Sequence, residues 1–161
     1  MSALSVISIR DQGAFDLVRS LLHQGVSVRI RVSGRSMQPF LKGDELVEIV
    51  SLHARYPKIG DIILFRDQHG NPLLHRLVRR RYYNGVLHLQ TKGDACMGVD
   101  SLVPADQVLG SIQRIVFTDH AVDLQTPLMR WKAYLSATRS ILCFVRYRTA
   151  CLLKRHCRFT G

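Results

Sequence analysis

Four polar residues of this chain have the types and the order that serine-based hydrolysis needs. Ser36 follows a small-residue turn, and His75 lies in an apolar run where a histidine is otherwise poorly explained. Asp94 and Asp100 belong to a glycine-bounded loop. A serine hydroxyl is a weak nucleophile, so it needs an adjacent base and a third group that orients the base. Histidine exchanges a proton near neutral pH, and a carboxylate can hold its useful tautomer.

The elements that must position these residues are mostly strands. Short runs rich in Val, Ile and Leu alternate with turn residues over residues 26–117. Asn84-Gly85 predicts a tight hairpin, because both central positions of a type I′ turn need positive φ. The predicted strands are Val26–Val32, Leu46–Val50, Asp61–Phe65, Leu73–Tyr83, Val86–Gln90 and Val108–Phe117. The predicted fold class is therefore mainly β, a coiled antiparallel sheet of short strands.

A short helix is predicted before the strands and a long basic helix after them. Asp11 can cap the first helix and Gly25 can end it. Its apolar face comprises Phe15, Val18, Leu21 and Leu22. After Pro127 the spacing predicts a basic amphipathic helix of about thirty residues, or two helices with a break. Its apolar face comprises Trp131, Leu135, Leu142, Val145 and Leu152. We divide the chain into an N-terminal helical segment (1–25), a β-domain (26–123) and a basic tail (124–161).

The positive charge is concentrated in the tail. The net charge is +11, and residues 124–161 contain eight Lys and Arg but no Asp or Glu. Such a segment attracts anionic lipid or nucleic acid. Its Trp and Tyr residues favour an anionic membrane surface, so nucleic acid is not the expected partner. The alternative is a helix packed on the β-domain, with its basic face in solvent.

Several classes of protein are not expected from this sequence. It has no run of about 18 uncharged apolar residues and does not start like a secretory signal, so we expect neither a transmembrane segment nor a signal peptide. Its four cysteines lack the Cys-x-x-Cys spacing of zinc sites, and we expect no metal or cofactor. A cytoplasmic location, or a peripheral one at the membrane, is predicted.

Four motifs in one order resemble those of the type I signal peptidase family of serine proteases. The resemblance covers about residues 30–112. The motifs are Ser33-Gly34-x-Ser36-Met37-x-Pro39, Gly60-Asp61-Ile62-Ile63-Leu64-Phe65, Thr91-Lys92-Gly93-Asp94 with Asp100, and Val108-Leu109-Gly110. The resemblance implies the signal-peptidase/SOS-repressor protease fold. It also implies an endopeptidase that cleaves leader or signal peptides after small residues.

The resemblance also implies roles for particular residues. His75-Arg76 stands where common bacterial members have lysine and arginine, as in the archaeal and endoplasmic-reticulum style with histidine as base. Ser36 would then be the nucleophile, His75 the general base and acid, and Asp100 the orienting carboxylate. Asp94 would hold the loop or act electrostatically. Backbone N–H groups of the turn from Gly34 to Ser36 would stabilise the oxyanion, and Lys92 would be solvated or structural.

The chain departs from the family at three points, and other functions remain open. It lacks the usual transmembrane anchor, so a membrane-anchoring partner protein is a candidate partner. Ala95-Cys96 stand where asparagines are usual, and Arg35 is bulky where small residues are common. The alternative function is a self-processing module, or a non-catalytic module on the same fold that binds membrane or nucleic acid.

Overall fold

The computed structural model describes residues 6–7, 12–52 and 56–156. Within these residues the chain forms one nine-stranded sheet and two α-helices. The strands are β1 (Val6–Ile7), β2 (Val28–Arg31), β3 (Leu46–Ser51), β4 (Ile62–Arg66), β5 (Pro72–Tyr83), β6 (Val86–Lys92), β7 (Val103–Pro104), β8 (Gly110–Val116) and β9 (Ala121–Asp123). The helices are α1 (Gln12–His23) and α2 (Pro127–His156), with a short 3₁₀ turn at Ala105–Gln107. The predicted class, mainly antiparallel β with a short first helix and a C-terminal helix, is confirmed.

The sheet order is β1-β2-β3-β8-β4-β5-β6-β7, with β9 paired to β8. The β1–β2 pair is parallel and the other pairs are antiparallel. The hairpin predicted at Asn84-Gly85 joins β5 to β6, with φ of 48° and 77° at these two residues and Tyr83 opposite Val86. This hairpin places β6, which carries Thr91, beside β5, which carries His75.

Helix α1 packs on the sheet through its predicted apolar face. Phe15, Val18 and Leu22 are buried in the main core. The helix ends at His23, and the chain turns at Gly25, whose φ of 78° suits glycine, so that the amide of Val26 donates back to the carbonyl of Leu21 at 3.0 Å. The predicted cap, Asp11, lies outside the described residues.

The apolar strand β4 is buried on both faces, because successive side chains point to opposite sides of a strand. Ile62 and Leu64 enter the main core with α1, β2, β3 and β8. Ile63 and Phe65 enter a second cluster with residues of β5, β6 and β7. The sheet therefore has a core on each side of β4, and the candidate site lies beside the second one.

Helix α2 is one continuous helix of 30 residues. It contacts the β-body through Met129, which packs against the main core, and through small residues, of which Ala133 and Ala137 are buried. Trp131 and Leu142 are more than 60% exposed, so these two large residues of the predicted apolar face point away from the β-body. The side chain of Leu152 lies outside the described residues.

The cause of this packing is a close approach at Gly60, where a Cβ atom would lie 2.9 Å from the backbone of Ala133. An ion pair between Arg130 and Asp61 holds the same end of the helix. Only small side chains fit where the helix backbone lies this close to the body. In the part of the chain that the structure describes, no helix is long and apolar enough to cross a membrane.

Candidate active site

The centre of the site is a hydrogen bond between His75 and Asp100. His75 lies on β5 and is 5% exposed. Its Nδ1 lies 2.7 Å from Oδ2 of Asp100. An ionised carboxylate can only accept, so Nδ1 carries the proton and Nε2 of the neutral ring presents its lone pair. The pair thus fixes the tautomer in which Nε2 can accept a proton.

Asp100 is held in place by the end of β6. The hydroxyl of Thr91 donates to Oδ2 of Asp100 at 2.6 Å, and the amide of Asp100 donates to the carbonyl of Thr91 at 2.9 Å. The side-chain amide of Gln90 donates to the carbonyl of Asp100 at 3.3 Å. Since two of these bonds go to one strand residue, the carboxylate position is set by β6 rather than by the loop alone.

Ser36 lies in a turn that is tied to the loop after β6. Met37, the next residue, is buried in the main core and anchors the turn. The amide of Ala95 donates to the carbonyl of Ser36 at 2.8 Å. Gly34, whose amide was a predicted oxyanion donor, lies at an exposed bend with φ of 95°. The serine turn and the carboxylate loop are therefore joined directly by a backbone hydrogen bond.

A second turn supports the serine turn from behind. A Cβ atom at Gly43 would overlap the carbonyl of Gly34, so the two turns touch through backbone. The carboxylate of Glu45 accepts from the amides of Lys42 at 2.6 Å and Gly43 at 2.9 Å. Burial alone would raise the pKa of Glu45, but these hydrogen bonds outweigh it and lower that pKa. The ionised carboxylate thus fixes this second turn.

Gly93 is the point where the serine turn and the imidazole meet. A Cβ atom there would lie 2.8 Å from the carbonyl oxygen of Ser36 and 3.1 Å from Nε2 of His75. It would also lie 2.6 Å from Sγ of Cys96. Nε2 is buried and has no hydrogen-bond partner among the described residues, so the Ser36 hydroxyl does not bond to it here. Such contacts are often long before substrate binds.

Asp94, the other candidate carboxylate, pairs with Arg76 and not with His75. Nε and Nη2 of Arg76 donate to its two oxygens at 2.8 Å and 2.7 Å. Nη1 donates to the carbonyl of Gly60 at 2.8 Å, and the guanidinium lies 4.6 Å from the ring centre of Phe40. The Arg76 and Asp94 side chains are 1% and 5% exposed. This buried pair therefore locks the start of the loop that carries Asp100.

Two further groups lie next to Gly93, the residue that borders the imidazole. Lys92 is 2% exposed, and its ammonium donates to the carbonyl of Gly93 at 3.2 Å. Of the two predicted roles for Lys92, solvated or structural, its burial excludes the solvated one. Burial, reinforced by the nearby charge of Asp100, raises the pKa of the Cys96 thiol. The thiol is thus kept protonated next to the histidine.

One cavity of the β-body reaches the edge of this centre. A cavity of about 420 Å³ includes Asp100 in its wall, but neither Ser36 nor His75 lines it. Among the described residues, no three His, Cys, Asp or Glu side chains converge as a metal site would require. The hydrogen bond of His75 to Asp100 leaves Nε2 beside the turn that contains Ser36, where it can take part in proton transfer.

Comparison with known proteins assigns no family to this chain. No family model matches it, and a search of curated proteins found none similar enough to count as a relative.

Sequence reasoning named Ser36, His75 and Asp100, but it missed other residues that build the site. Thr91 and Gly93 position the carboxylate and the imidazole, and Arg76 takes Asp94 away from His75. A signal for Arg76 was available, because an arginine within an apolar strand needs a buried carboxylate partner. No comparable signal identifies Thr91, whose role follows only from the bend after β6.

Proposed function

We propose that this protein is a serine endopeptidase of the type I signal peptidase kind, on the signal-peptidase/SOS-repressor protease fold. The observation that carries the proposal is the His75–Asp100 pair, whose second ring nitrogen borders the turn that contains Ser36. A buried imidazole whose tautomer is fixed, and whose Nε2 has no hydrogen-bond partner among the described residues, is what a serine nucleophile requires. The ordered motifs of the sequence support the same class.

The proposed reaction is acyl transfer through the serine. Nε2 of His75 removes the proton from the Ser36 hydroxyl as the oxygen attacks the peptide carbonyl. Asp100 stabilises the imidazolium that forms, and backbone N–H groups of the serine turn stabilise the oxyanion. The imidazolium then gives its proton to the leaving amine, which departs and leaves the acyl-enzyme. Water attacks the acyl-enzyme while Nε2 of His75 takes a proton from it, and the imidazolium returns that proton to the Ser36 oxygen as the ester bond breaks. The step needs no metal or cofactor.

The proposed substrates are leader or signal peptides that are cut after small residues, as the resemblance implies. In this proposal the enzyme acts in the cytoplasm or at the membrane surface, where a membrane-anchoring partner protein could hold it. The buried Arg76–Asp94 pair supports the role of the loop, because it fixes the segment from which Asp100 reaches the histidine.

Labelling with a fluorophosphonate probe tests the serine directly. We expect the wild-type protein to be labelled at Ser36, and Ser36→Ala to abolish labelling. Ser33→Ala is the matched control, because Ser33 is an exposed serine of the same turn. Labelling that survives in Ser36→Ala, or that is lost equally in Ser33→Ala, would contradict the proposal.

The base is tested by cleavage of a peptide library with small residues at the cut. We expect His75→Ala to abolish cleavage and the double variant with Ser36→Ala to be no worse, because the two groups act as a unit. His69→Ala, in the exposed turn between β4 and β5, is the control.

Lys92→Met identifies a rival base, because this buried amine lies beside Gly93. Cleavage that needs Lys92 but not His75 would assign the base to lysine and overturn the mechanism.

Self-processing predicts instead that the purified wild-type protein loses mass with time while Ser36→Ala does not.

A further inference from the structure

The outward face of α2 carries an apolar stripe that the β-body does not cover. We define the outer stripe as Leu128, Trp131, Leu135 and Leu142, which recur at intervals of three, four and seven residues and so share one side of the helix. Leu128, Trp131 and Leu142 are 62%, 63% and 63% exposed. A continuous exposed patch of large apolar side chains marks an interaction surface.

The residues beside the outer stripe are basic. Lys132 and Arg139 are exposed and follow stripe positions one and four residues later along the helix. Residues 124–161 contain no Asp or Glu, so no acidic side chain of this segment offsets their charge. Tyr134, also exposed, adds a second ring with a polar tip beside Trp131. The surface thus combines aliphatic, aromatic and cationic groups.

We infer that the outer stripe docks this protein on an anionic lipid surface, with α2 lying in the plane of the interface. Leucine side chains enter the acyl boundary, indole and phenol rings occupy the headgroup level, and lysine and arginine meet lipid phosphates. Nucleic acid matches only the cationic part, because exposed leucines gain little from a phosphate backbone. The inference does not depend on the proposed peptidase activity.

The β-body holds the stripe in this orientation. Ala133 and Ala137 face the body, and the ion pair of Arg130 with Asp61 fixes the start of the helix. Docking through α2 therefore orients the whole body, and the candidate site with it, relative to the bilayer.

The competing surface is the tip of the β5–β6 hairpin. Exposed residues there are Arg79, Arg80, Arg81, Tyr82 and Tyr83. This tip is cationic and aromatic, but it lacks the leucines of the outer stripe. A lipid-binding experiment must therefore compare the two surfaces.

Flotation of the full-length chain with lipid vesicles tests the inference. We expect recovery with phosphatidylcholine vesicles that contain phosphatidylglycerol, little recovery with phosphatidylcholine alone, and loss in high salt. Each basic residue removed from Lys132 and Arg139 by alanine should weaken binding about fivefold. Trp131→Ala and Leu135→Ser should weaken it further, whereas Leu17→Ser, at an exposed leucine of α1, should not.

Unchanged far-ultraviolet circular dichroism and thermal unfolding of each variant show that it is folded. Absence of vesicle binding by the wild-type protein would overturn the inference, and so would equal binding to both vesicle types. Binding lost in the Arg79→Ala/Arg80→Ala/Arg81→Ala variant but kept in the stripe variants would move the surface to the hairpin and also overturn it. Loss confined to the stripe variants supports it.

Discussion

His75 and Arg76 are neighbours on β5, and each holds an aspartate of the loop after β6, yet the two pairs differ in nearly every physical respect. All three guanidinium nitrogens of Arg76 donate hydrogen bonds, and both members of its pair with Asp94 are almost fully buried. His75 makes one bond to Asp100, whose side chain is 23% exposed. Its other ring nitrogen has no partner among the described residues.

The two pairs therefore have different roles on one short segment of β5. The Arg76–Asp94 pair supports the loop, and the His75–Asp100 pair holds the group proposed for proton transfer. Successive side chains of a strand point to opposite faces, so adjacent residues can serve different surroundings. The arginine pair is complete, and removing either member would leave a buried charge alone. The histidine pair is incomplete at one atom, which costs stability but leaves a proton acceptor available. Two variants of this loop sharpen the contrast.

The largest effect is expected from breaking the arginine pair. Asp94→Ala should lower the free energy of unfolding by about 3–5 kcal/mol, because Arg76 would remain buried without its counter-charge. Urea unfolding followed by circular dichroism measures this change. Asp106→Ala, at an exposed aspartate, should change it by less than about 0.5 kcal/mol. Equal small losses in both variants would show that the pair does not hold the loop.

A smaller loss of stability, with a large loss of reactivity, is expected at the other aspartate. Asp100→Asn keeps the size of the side chain and an acceptor for Thr91, so unfolding should change by about 1 kcal/mol. Labelling of Ser36 should fall by about a hundredfold or more. The neutral amide no longer stabilises the imidazolium, and it no longer holds the neutral ring in the tautomer with the proton on Nδ1. If Asp100→Asn destabilised the fold as much as Asp94→Ala, the contrast between the pairs would disappear.

Much of this arrangement could be predicted from local sequence patterns. Asn84-Gly85 predicted the hairpin because positive φ is a local requirement, and the apolar run of β4 predicted a buried strand. The choice between Asp94 and Asp100 could not be made by spacing alone, because it depends on which face of β5 each side of the loop reaches. The burial of Lys92 could not be predicted from spacing either, since it depends on the packing of Gly93 against the serine turn.

The outward face of α2 was beyond sequence patterns for another reason. Its large apolar residues and its small ones both recur at helical spacing, so periodicity does not say which set packs. The sequence left open whether the large residues pack on the β-domain or meet a membrane surface. The contact is decided instead by the backbone at Gly60, which leaves room only for residues such as Ala133 and Ala137.

The smallest effect is expected at Cys96. Because the charge of Asp100 lies near this thiol, the His75–Asp100 pair should change the pH at which the thiol reacts. Burial and then the charge of Asp100 raise the pKa of Cys96, so the reactive thiolate forms only at higher pH than in an ordinary cysteine. Iodoacetamide labelling, followed peptide by peptide with mass spectrometry, should be slow at neutral pH and should still rise where ordinary thiols level off.

Asp100→Asn is the test of cause, since it removes the neighbouring negative charge. The midpoint of Cys96 labelling should move to lower pH in this variant, while exposed Cys143 of α2 reports any change in the reagent. A midpoint that stays in place would assign the shift to burial alone.

The missing side chain at Gly60 also limits how α2 can move. A Cβ atom there would meet the backbone of Ala133 at 2.9 Å, so the helix rests on the turn with no intervening layer of side chains. Rolling the helix to bring Trp131 inward would drive a large ring into a gap sized for a methyl group. The helix is therefore prevented from rotating about its own axis by backbone contact. The outward direction of the leucines of α2 therefore follows from the absence of a side chain at Gly60.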